Sequence, residues 1–272
     1  PIFHEMDKDL PERVVMEKAK STGVAVLAVQ SDFLKGRGLL ELSAQTMPDY
    51  FRVMNFSDFY EEVFEKTPVK ELDDGWLVTN IKPYRQYYDE AKRFFEIVFG
   101  FFLLTVLSPI MILTVLLVFM TSSGPVIYVQ KRVGKKGGVF NLYKFRTMRH
   151  GDAGPLFTEK NDQRITPIGK ALRASHLDEF PQIFNLIKGE VSIIGPRPER
   201  VELAEKYSAL PYYSVRHTVK PGITGWAQIN YKPSSNIEEA YEKLCYDIFY
   251  IKNRSLFLDF AILLRTIKYF IS

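Results

Sequence analysis

An adjacent pair of carboxylates, Asp178-Glu179, is the part of this sequence best suited to chemistry. The pair opens a predicted helix that runs to about Lys188 and stops at Gly189, so we expect Asp178 to cap its first turn. Free N–H groups and the helix dipole at that end stabilise negative charge and can hold a phosphate. An ionised carboxylate there could attack phosphorus, and its neighbour could bind Mg²⁺. An isolated Asp-Glu pair is more often an ordinary helix cap, so its surroundings decide.

Basic side chains that suit phosphate oxygens occur on both sides of this pair along the chain. Lys144 and Arg146 lie at the end of a predicted strand, Arg173 lies five residues before Asp178, and Arg197 stands between two prolines. Guanidinium groups match phosphate oxygens in bidentate geometry. Each cation alone is more often a solvated surface charge, but together with the acidic pair they indicate phosphoryl transfer. His176 is interpreted as a packing or hydrogen-bonding residue rather than a base.

A long apolar segment, residues 94–119, predicts association with a membrane. No charged residue occurs between Glu96 and Lys131, and a run of about 18 apolar residues is long enough to be a membrane segment. Hydropathy alone favours a simple spanning helix. Ser108-Pro109 in its middle predicts a break, because proline lacks a backbone N–H and clashes with the preceding turn. Each half would then be too short to cross about 30 Å of hydrocarbon.

The charges beside the apolar segment also argue against a simple spanning helix. Basic residues normally mark the cytoplasmic side of a membrane segment. Here they flank both ends: Lys82, Arg85, Lys92 and Arg93 on one side, and Lys131, Arg132, Lys135 and Lys136 on the other. A re-entrant helix, which enters the bilayer, breaks at Ser108-Pro109 and returns, satisfies both the break and the two basic flanks.

The predicted fold class is α/β, with an α+β catalytic core behind the membrane segment. Strands at 23–30 and 50–56 alternate with helices from Pro11, around 32–45 and from Ser57 to Glu65, which is typical of a small α/β module. It has no GxGxxG motif, so no cofactor is assigned to it. The later chain predicts a hairpin at 126–148 and a helix from Pro167. The tail, 256–271, is either a core helix or one lying at the membrane interface. The predicted domains are 1–85, 86–123 and 124–272.

Composition excludes several other classes of protein. A single cysteine, Cys245, rules out an internal disulfide and a cysteine zinc cluster, and the four histidines show no metal-ligand spacing. The net charge of +4 is small, and the basic residues flank an apolar segment, so nucleic-acid binding is not expected. The chain begins at Pro1 rather than Met, which suggests a piece of a longer protein.

Several long motifs resemble those of the bacterial sugar transferases, the monotopic polyprenyl-phosphate phosphoglycosyl transferases. The resemblance covers about residues 90–272, and the first unit is similar to part of the Rossmann-like module of long exopolysaccharide-type members. Phe180 and His176 depart from the commoner Leu and Ser of the family. The motifs that carry the resemblance are KFRTM (144–148), LDEFPQIFNLIKGEVSIIGPRPER (177–200), PYYSVRHTVKPGITGWAQIN (211–230) and YDIFYIKNRSLFLD (246–259).

The resemblance implies a reaction and its participants. Asp178 would attack the sugar-linked phosphate of a UDP-sugar and release UMP, and polyprenyl (undecaprenyl) phosphate would then accept the phosphosugar. Glu179 would bind Mg²⁺, the basic residues named above would lie near the phosphates, and Asp247 would support the site. The family also implies a re-entrant helix, contact with membrane lipids and a place on the cytoplasmic face of the bacterial inner membrane. The transferred sugar, the glycan pathway and the oligomeric state, including a homodimer, stay open.

The sequence is compatible with two other functions, one catalytic and one not. A membrane-bound, metal-dependent phosphohydrolase would differ only in having water as the acceptor. A non-catalytic membrane scaffold for a glycan-assembly complex would not need Asp178 at all.

Overall fold

The computed structural model describes residues 26–29, 52–149, 162–234 and 236–271. Its contacts divide the chain into two compact units, 1–73 and 74–272. The strands are β1 Val26–Val29, β2 Arg52–Asn55, β3 Ile127–Val133, β4 Val139–Phe145, β5 Ser192–Ile194 and β6 Gly222–Thr224. The α-helices are α1 Phe56–Phe64, α2 Asp74–Asn80, α3 Gln86–Thr121, α4 Pro167–Ala174, α5 Gln182–Lys188, α6 Val201–Tyr207, α7 Trp226–Asn230, α8 Ile237–Asn253 and α9 Leu256–Ile271. Short 3₁₀ helices occupy Val69–Glu71, Lys135–Gly137, Leu177–Glu179 and Tyr213–Thr218.

The described part of the first unit is a parallel strand pair followed by a helix. β1 pairs with β2 in parallel, and α1 follows β2 directly. Both predicted strands are therefore confirmed. The helix cap differs from the prediction, because Asn55 rather than Ser57 caps α1, its Oδ1 accepting from the Ser57 N–H at 3.1 Å. The helices predicted from Pro11 and around 32–45 lie outside the described residues, and the remaining elements are too few to identify a Rossmann-like module.

The apolar segment forms one helix, α3, of 36 residues. The helix continues through Pro109, so the predicted division into two helices is not observed. Pro109 leaves the Thr105 carbonyl without its usual N–H donor. The Ser108 hydroxyl donates to that same carbonyl at 2.8 Å, which replaces the missing hydrogen bond. Within the described ranges, α3 alone is long and apolar enough to cross a membrane, judged by length and composition; its most apolar window has a mean hydropathy of 2.7 and is 17% buried.

Polar contacts hold the first turns of α3 to the body of the second unit. Lys92 Nζ lies 2.7 Å from Asp259 of α9 and donates to the Ile194 carbonyl at 2.8 Å. The buried Glu96 carboxylate accepts from the Ser192 hydroxyl, and Arg93 donates to the carbonyls at the end of α5. Buried polar groups need such partners, so the start of α3 has a fixed position on the body.

Apolar contacts hold the second half of α3. Met111 and Val118 are buried in a cluster with Phe145 of β4 and Leu172 of α4. Past the end of the helix, the Arg146 guanidinium donates to the Ser122 carbonyl and hydroxyl, both at 2.7 Å. Both ends of α3 therefore contact the same folded body.

The predicted hairpin and the helix after it are confirmed. β3 and β4 pair antiparallel around the Lys135–Gly137 turn. Asn185 of α5 is fully buried against β4, accepting from the Tyr143 N–H at 3.1 Å and donating to the Asn141 carbonyl at 2.7 Å. Since α5 follows the acidic pair in the chain, this amide also fixes where that pair lies.

The tail helix α9, predicted to lie either in the core or at the membrane interface, has one face in the core and one exposed face. Ile262 is fully buried in the core, while Phe257 and Phe260 are 84% and 59% exposed on the opposite face. The helix is therefore amphipathic, with one face in the core and one uncovered apolar face.

Candidate active site

Asp178 and Glu179 lie in a tight turn rather than at the first turn of an α-helix. The turn is the 3₁₀ helix Leu177–Glu179, and α5 begins only at Gln182, with Pro181 as its cap residue. The expectation that Asp178 caps this helix is therefore wrong. Its carboxylate therefore accepts no hydrogen bond from the first N–H groups of α5.

Glu179 is the paired member of the acidic pair. Its Oε1 lies 2.5 Å from Lys144 Nζ and 3.8 Å from Arg197 Nη2. Burial acts to raise its pKa, but the two cations outweigh burial, and the pKa of Glu179 lies below its ordinary value. Glu179 is therefore a stable anion that also orients Lys144 and Arg197.

Asp178 is the member left available for chemistry. It is buried, and it has no hydrogen bond or ion pair with any residue in the described ranges. Burial raises its pKa, and the neighbouring Glu179 adds to this, while Lys144, Arg173 and His176 act in the opposite direction. A desolvated carboxylate without donors is a stronger nucleophile than a solvated one, provided nearby cations keep it ionised.

Arg173 is positioned by a close approach of α4 to the chain after β4. The Gly169 position allows this approach, because a Cβ there would lie 2.0 Å from the Thr147 carbonyl oxygen. Arg173 Nε then donates to the Thr147 hydroxyl at 2.8 Å. One edge of the guanidinium is held by the protein, and its charge acts on Asp178.

Arg197 is positioned by a buried arginine that the sequence analysis did not single out. Arg216 Nη2 donates to the Arg197 carbonyl at 3.0 Å and to Asp247 Oδ2 at 2.9 Å. Its other nitrogen donates to the Tyr213 hydroxyl at 2.9 Å and lies 3.7 Å from Glu199. Despite burial, the Asp247 carboxylate raises the pKa of Arg216, so this group stays charged. Arg216 belongs to the motif PYYSVRHTVKPGITGWAQIN (211–230), which marked this region as part of the family resemblance. A sequence does not show, however, that this arginine is buried.

Two of the expected phosphate-binding residues face away from the acidic pair. Asp247 is 2% exposed and is bound to Arg216, so it supports Arg197 from behind. Arg146 is 6% exposed and is occupied by the carbonyls of Ser122 and Pro125 at the end of α3. The structure thus brings Lys144, Arg173 and Arg197 to the acidic pair and gives Arg146 and Asp247 supporting contacts.

An apolar groove of about 250 Å³ lies beside this turn. Its walls come from the second half of α3, the adjoining ends of β3 and β4, and Pro181 and Phe184, which follow the acidic pair. The residues that line it are Met111, Ile112, Val115, Leu116, Ile127, Phe145, Pro181 and Phe184. An uncharged groove next to charged residues can hold a ligand with an apolar chain and an anionic end.

Comparison with known proteins identifies the family. The sequence profile of the bacterial sugar transferases matches residues 87–272. The chain belongs to the bacterial sugar transferase family. This confirms the resemblance drawn from the four motifs.

Three relatives of this sugar transferase illustrate its similarity. It is 39% identical over 66% of its length to UDP-N-acetylgalactosamine-undecaprenyl-phosphate N-acetylgalactosaminephosphotransferase of Aeromonas hydrophila, and covers 44% of that protein. It is 37% identical over 83% of its length to UDP-glucose:undecaprenyl-phosphate glucose-1-phosphate transferase of Xanthomonas campestris pv. campestris, covering 46% of it. It is 36% identical over 65% of its length to exopolysaccharide production protein PSS of Rhizobium leguminosarum bv. phaseoli, covering 92%. The matches span less than half of the first two relatives.

The acidic pair of this sugar transferase can provide ligands for a divalent cation. Among the described residues, no group of three or more His, Cys, Asp or Glu side chains could hold a metal. Mg²⁺ needs only one or two carboxylates when substrate phosphates and water complete its shell. Asp178 has no partner within the part of the chain that the structure describes, and Glu179 binds Lys144 through one oxygen, Oε1. The donor set therefore fits a Mg²⁺ ion that arrives with a phosphorylated substrate.

Proposed function

We propose that this protein transfers a sugar 1-phosphate from a UDP-sugar to undecaprenyl phosphate and releases UMP, through a covalent phosphosugar intermediate on Asp178. The observation that carries the proposal is the Asp178 carboxylate, which is buried and has no hydrogen bond or ion pair with a described residue, while its neighbour is bound by Lys144 and Arg197. The reactions named for the Aeromonas and Xanthomonas relatives support the choice of donor and acceptor.

The first step forms one bond to phosphorus and breaks another. A carboxylate oxygen of Asp178 attacks the sugar-linked phosphorus of the UDP-sugar, and the bond from that phosphorus to the UMP oxygen breaks. UMP leaves with the electron pair of that bond, and the phosphosugar remains on Asp178 as an acyl phosphate. Lys144, Arg173 and Arg197 stabilise the charge that develops on the phosphoryl oxygens.

The second step regenerates the carboxylate. A phosphate oxygen of undecaprenyl phosphate attacks the same phosphorus, the bond to Asp178 breaks, and an undecaprenyl-diphosphate sugar is formed. Mg²⁺, held by Glu179 with Asp178 beside it, would supply further charge neutralisation at the phosphates. The apolar groove offers a place for the first isoprene units of the acceptor, because its lining is apolar and begins next to the acidic pair.

The membrane arrangement that fits this reaction is re-entrant, with both ends of α3 on the cytoplasmic face and a bend at Pro109, a residue type that kinks a helix without ending it. Contacts at both ends of α3 support it, from Lys92 with Asp259 to Ser122 with Arg146. A spanning helix would place its two ends on opposite sides of about 30 Å of hydrocarbon. One folded body could then contact both ends only by burying charged groups in the bilayer, which is costly. The name of the Rhizobium relative supports a role in exopolysaccharide assembly.

The decisive experiment measures UMP release from a panel of UDP-sugars by the purified protein, with and without undecaprenyl phosphate. The proposal expects one stoichiometric burst of UMP without the lipid, and turnover with radiolabelled sugar in the lipid phase when it is present. Asp178→Asn should abolish both. The matched control Asp74→Asn removes an exposed carboxylate at the start of α2 and should retain activity.

Other outcomes identify the rival functions. UMP and free sugar phosphate without any label in the lipid would indicate a phosphohydrolase. Full sugar transfer by Asp178→Asn would refute the covalent mechanism.

A further inference from the structure

A second cavity lies at the start of α3. It has a volume of about 520 Å³ and lies between the first turns of α3, β5, the approach to β6 and the end of α8. We call it the basic cavity, because five lysines and arginines but only three carboxylates line it. The cations are Lys92, Arg93, Lys135, Lys220 and Arg254, and the carboxylates are Asp89, Glu90 and Glu96. None of the five residues of the candidate active site lines it.

Two cations in the basic cavity lie close together. The position that a Cβ on Gly189 would occupy is 3.1 Å from Arg93 Nη2 and 3.2 Å from Lys220 Nζ, so these two groups are neighbours. Arg93 donates to two main-chain carbonyls at the end of α5, but it forms no ion pair with a carboxylate in the described ranges. Lys220 has neither a hydrogen bond nor an ion pair with a described residue, and Lys135 adds a further positive charge.

The charges around Lys220 show that the cavity lacks an anionic partner for it. Burial lowers the pKa of Lys220, and the nearby charges of Arg93 and Lys135 lower it further, while Glu96 and Asp89 act in the opposite direction. Asp89 is already paired with Arg254 at 3.1 Å. Glu96 cannot serve as a close partner, since its carboxylate already accepts from the Ser192 hydroxyl and, at 3.1 Å, from the Ile193 N–H. A bound anion would remove the repulsion between the cations and supply acceptors for their N–H groups.

We propose that the basic cavity binds the phosphate of a membrane phospholipid headgroup, with Lys220, Lys135 and Arg93 as its donors. The inference rests on the membrane association in the proposed function, but not on the transfer reaction. Basic pockets at the cytoplasmic ends of membrane helices suit anionic headgroups. Phe94, 65% exposed, and Ile97 line the cavity at the point where the apolar run of α3 begins. An acyl chain can follow that surface while the phosphate stays among the cations.

A nucleotide phosphate has the same anionic chemistry, so the experiment must separate the two sources. Detergent-purified protein is titrated with phosphatidylglycerol in one arm and with UMP in the other, and bound ligand is counted by native mass spectrometry. The test variant is Lys135→Gln/Lys220→Gln. The matched control is Lys136→Gln/Lys170→Gln, which removes the same charge from two exposed lysines that do not line the cavity.

The expected result is one phosphatidylglycerol retained by the wild type and by the control. Retention by the test variant should be roughly 10-fold to 30-fold weaker, at about the strength of two basic contacts to a headgroup. UMP release in detergent should be unchanged, because neither lysine belongs to the active site. If the double variant does not fold, Lys135→Gln alone decides, since this exposed side chain has no contact that folding requires.

Equal retention by the test variant and the wild type would overturn the proposal. So would equal weakening in the control, which would indicate diffuse surface charge, or displacement of phosphatidylglycerol by UMP, which would assign the cavity to the nucleotide. Failure of the proposed function is separable: a protein that releases no UMP can still retain phosphatidylglycerol in a lysine-dependent way.

Discussion

Asp178 and Glu179 are adjacent in the chain, yet their pKa values are shifted in opposite directions. The difference arises because Lys144 and Arg197 contact Glu179, while Asp178 is buried and accepts no hydrogen bond from a described residue. A pair of carboxylates whose surroundings separate their pKa values commonly has divided roles. Here the paired carboxylate holds cations and the unpaired one is available to react.

The raised pKa of Asp178 predicts the acid limb of the pH profile. Attack needs the ionised form, and the ionised fraction falls as the pH decreases through that pKa. The limb in kcat/KM for UMP release should therefore lie above the ordinary Asp value of about 3.9. Lys144→Gln removes an opposing cation and should move the limb to still higher pH, while Lys170→Gln should leave it in place. A limb at or below the ordinary value would contradict this account.

Arg216 should be among the residues on which stability depends most. Arg216→Met leaves the Asp247 carboxylate buried without its partner, and breaking a buried pair in this way costs roughly 3–5 kcal/mol. The measurement is urea unfolding followed by circular dichroism. The ion pair of the exposed Lys232 with the half-buried Glu239 provides the control, and Lys232→Met should change the midpoint much less than Arg216→Met does.

A double variant tests whether the loss of stability comes from leaving the Asp247 carboxylate unpaired. Arg216→Met/Asp247→Leu removes both charges and should recover part of the lost stability. Recovered stability without recovered kcat would show that Arg216 also positions Arg197 through its carbonyl.

At the scale of elements, hydrophobic patterns and turns were predictable, whereas the depth of a side chain and the exact cap residues of α1 and α5 were not. The hairpin around Lys135–Gly137 and the helix from Pro167 follow from local sequence, because turns and caps are local interactions. The start of α5 was misplaced because Pro181, which lacks an N–H, takes the cap position and leaves Asp178 in a preceding 3₁₀ turn. Arg146 was assigned to phosphate because nothing local shows that the end of α3 occupies it.

The contact between α4 and Thr147 predicts a sensitive glycine. Gly169→Ala would place a methyl group 2.0 Å from the Thr147 carbonyl, so α4 must shift and carry Arg173 with it. We expect a loss of roughly 1–3 kcal/mol in unfolding free energy, which exceeds the gain of about 1 kcal/mol in helix propensity, together with a lower kcat.

Gly138→Ala is the control for this substitution. Its Cβ would meet only the Lys135 carbonyl at 3.4 Å, an ordinary contact. Equal stability of the two variants in urea unfolding would contradict the close packing of α4.

The apolar groove predicts a separation of the two half-reactions. Phe184→Ala removes part of the groove wall, so KM for undecaprenyl phosphate should rise roughly threefold to tenfold, as expected for losing part of an aromatic contact. The UMP burst without lipid should be unchanged. Phe102→Ala removes an exposed aromatic of α3 outside the groove and serves as the control. Loss of the burst in Phe184→Ala would mean that Phe184 supports the acidic pair instead.

At the scale of the whole molecule, the contacts of α3 bear on its path through the membrane. The Ser108 hydroxyl satisfies the carbonyl freed by Pro109, so the helix tolerates proline without an unpaired group there. The sequence indicated the proline effect, but it could not indicate that a neighbouring hydroxyl compensates for it. Both ends of α3 contact one folded body, which favours entry and exit on one side.

Cysteine labelling can test this path, because the single natural cysteine, Cys245, is buried. Tyr87→Cys and Ser123→Cys place thiols at exposed positions before and after the apolar run. In sealed inverted membrane vesicles, a membrane-impermeant maleimide should label both variants. Labelling of only one variant would indicate a spanning helix, and the parent protein should stay unlabelled as the control.

The anchoring of α3 also has a consequence for the order of synthesis. Lys92 pairs with Asp259, and Arg85 donates to the carbonyls of Lys252 and Arg254, all more than 160 residues later in the chain. At about 5–20 residues per second, a ribosome completes α9 roughly 10–30 s after α3. The apolar helix therefore meets the bilayer before its polar partners exist. An insertion that takes place during synthesis precedes completion of the catalytic body, which then folds against a helix already in the membrane.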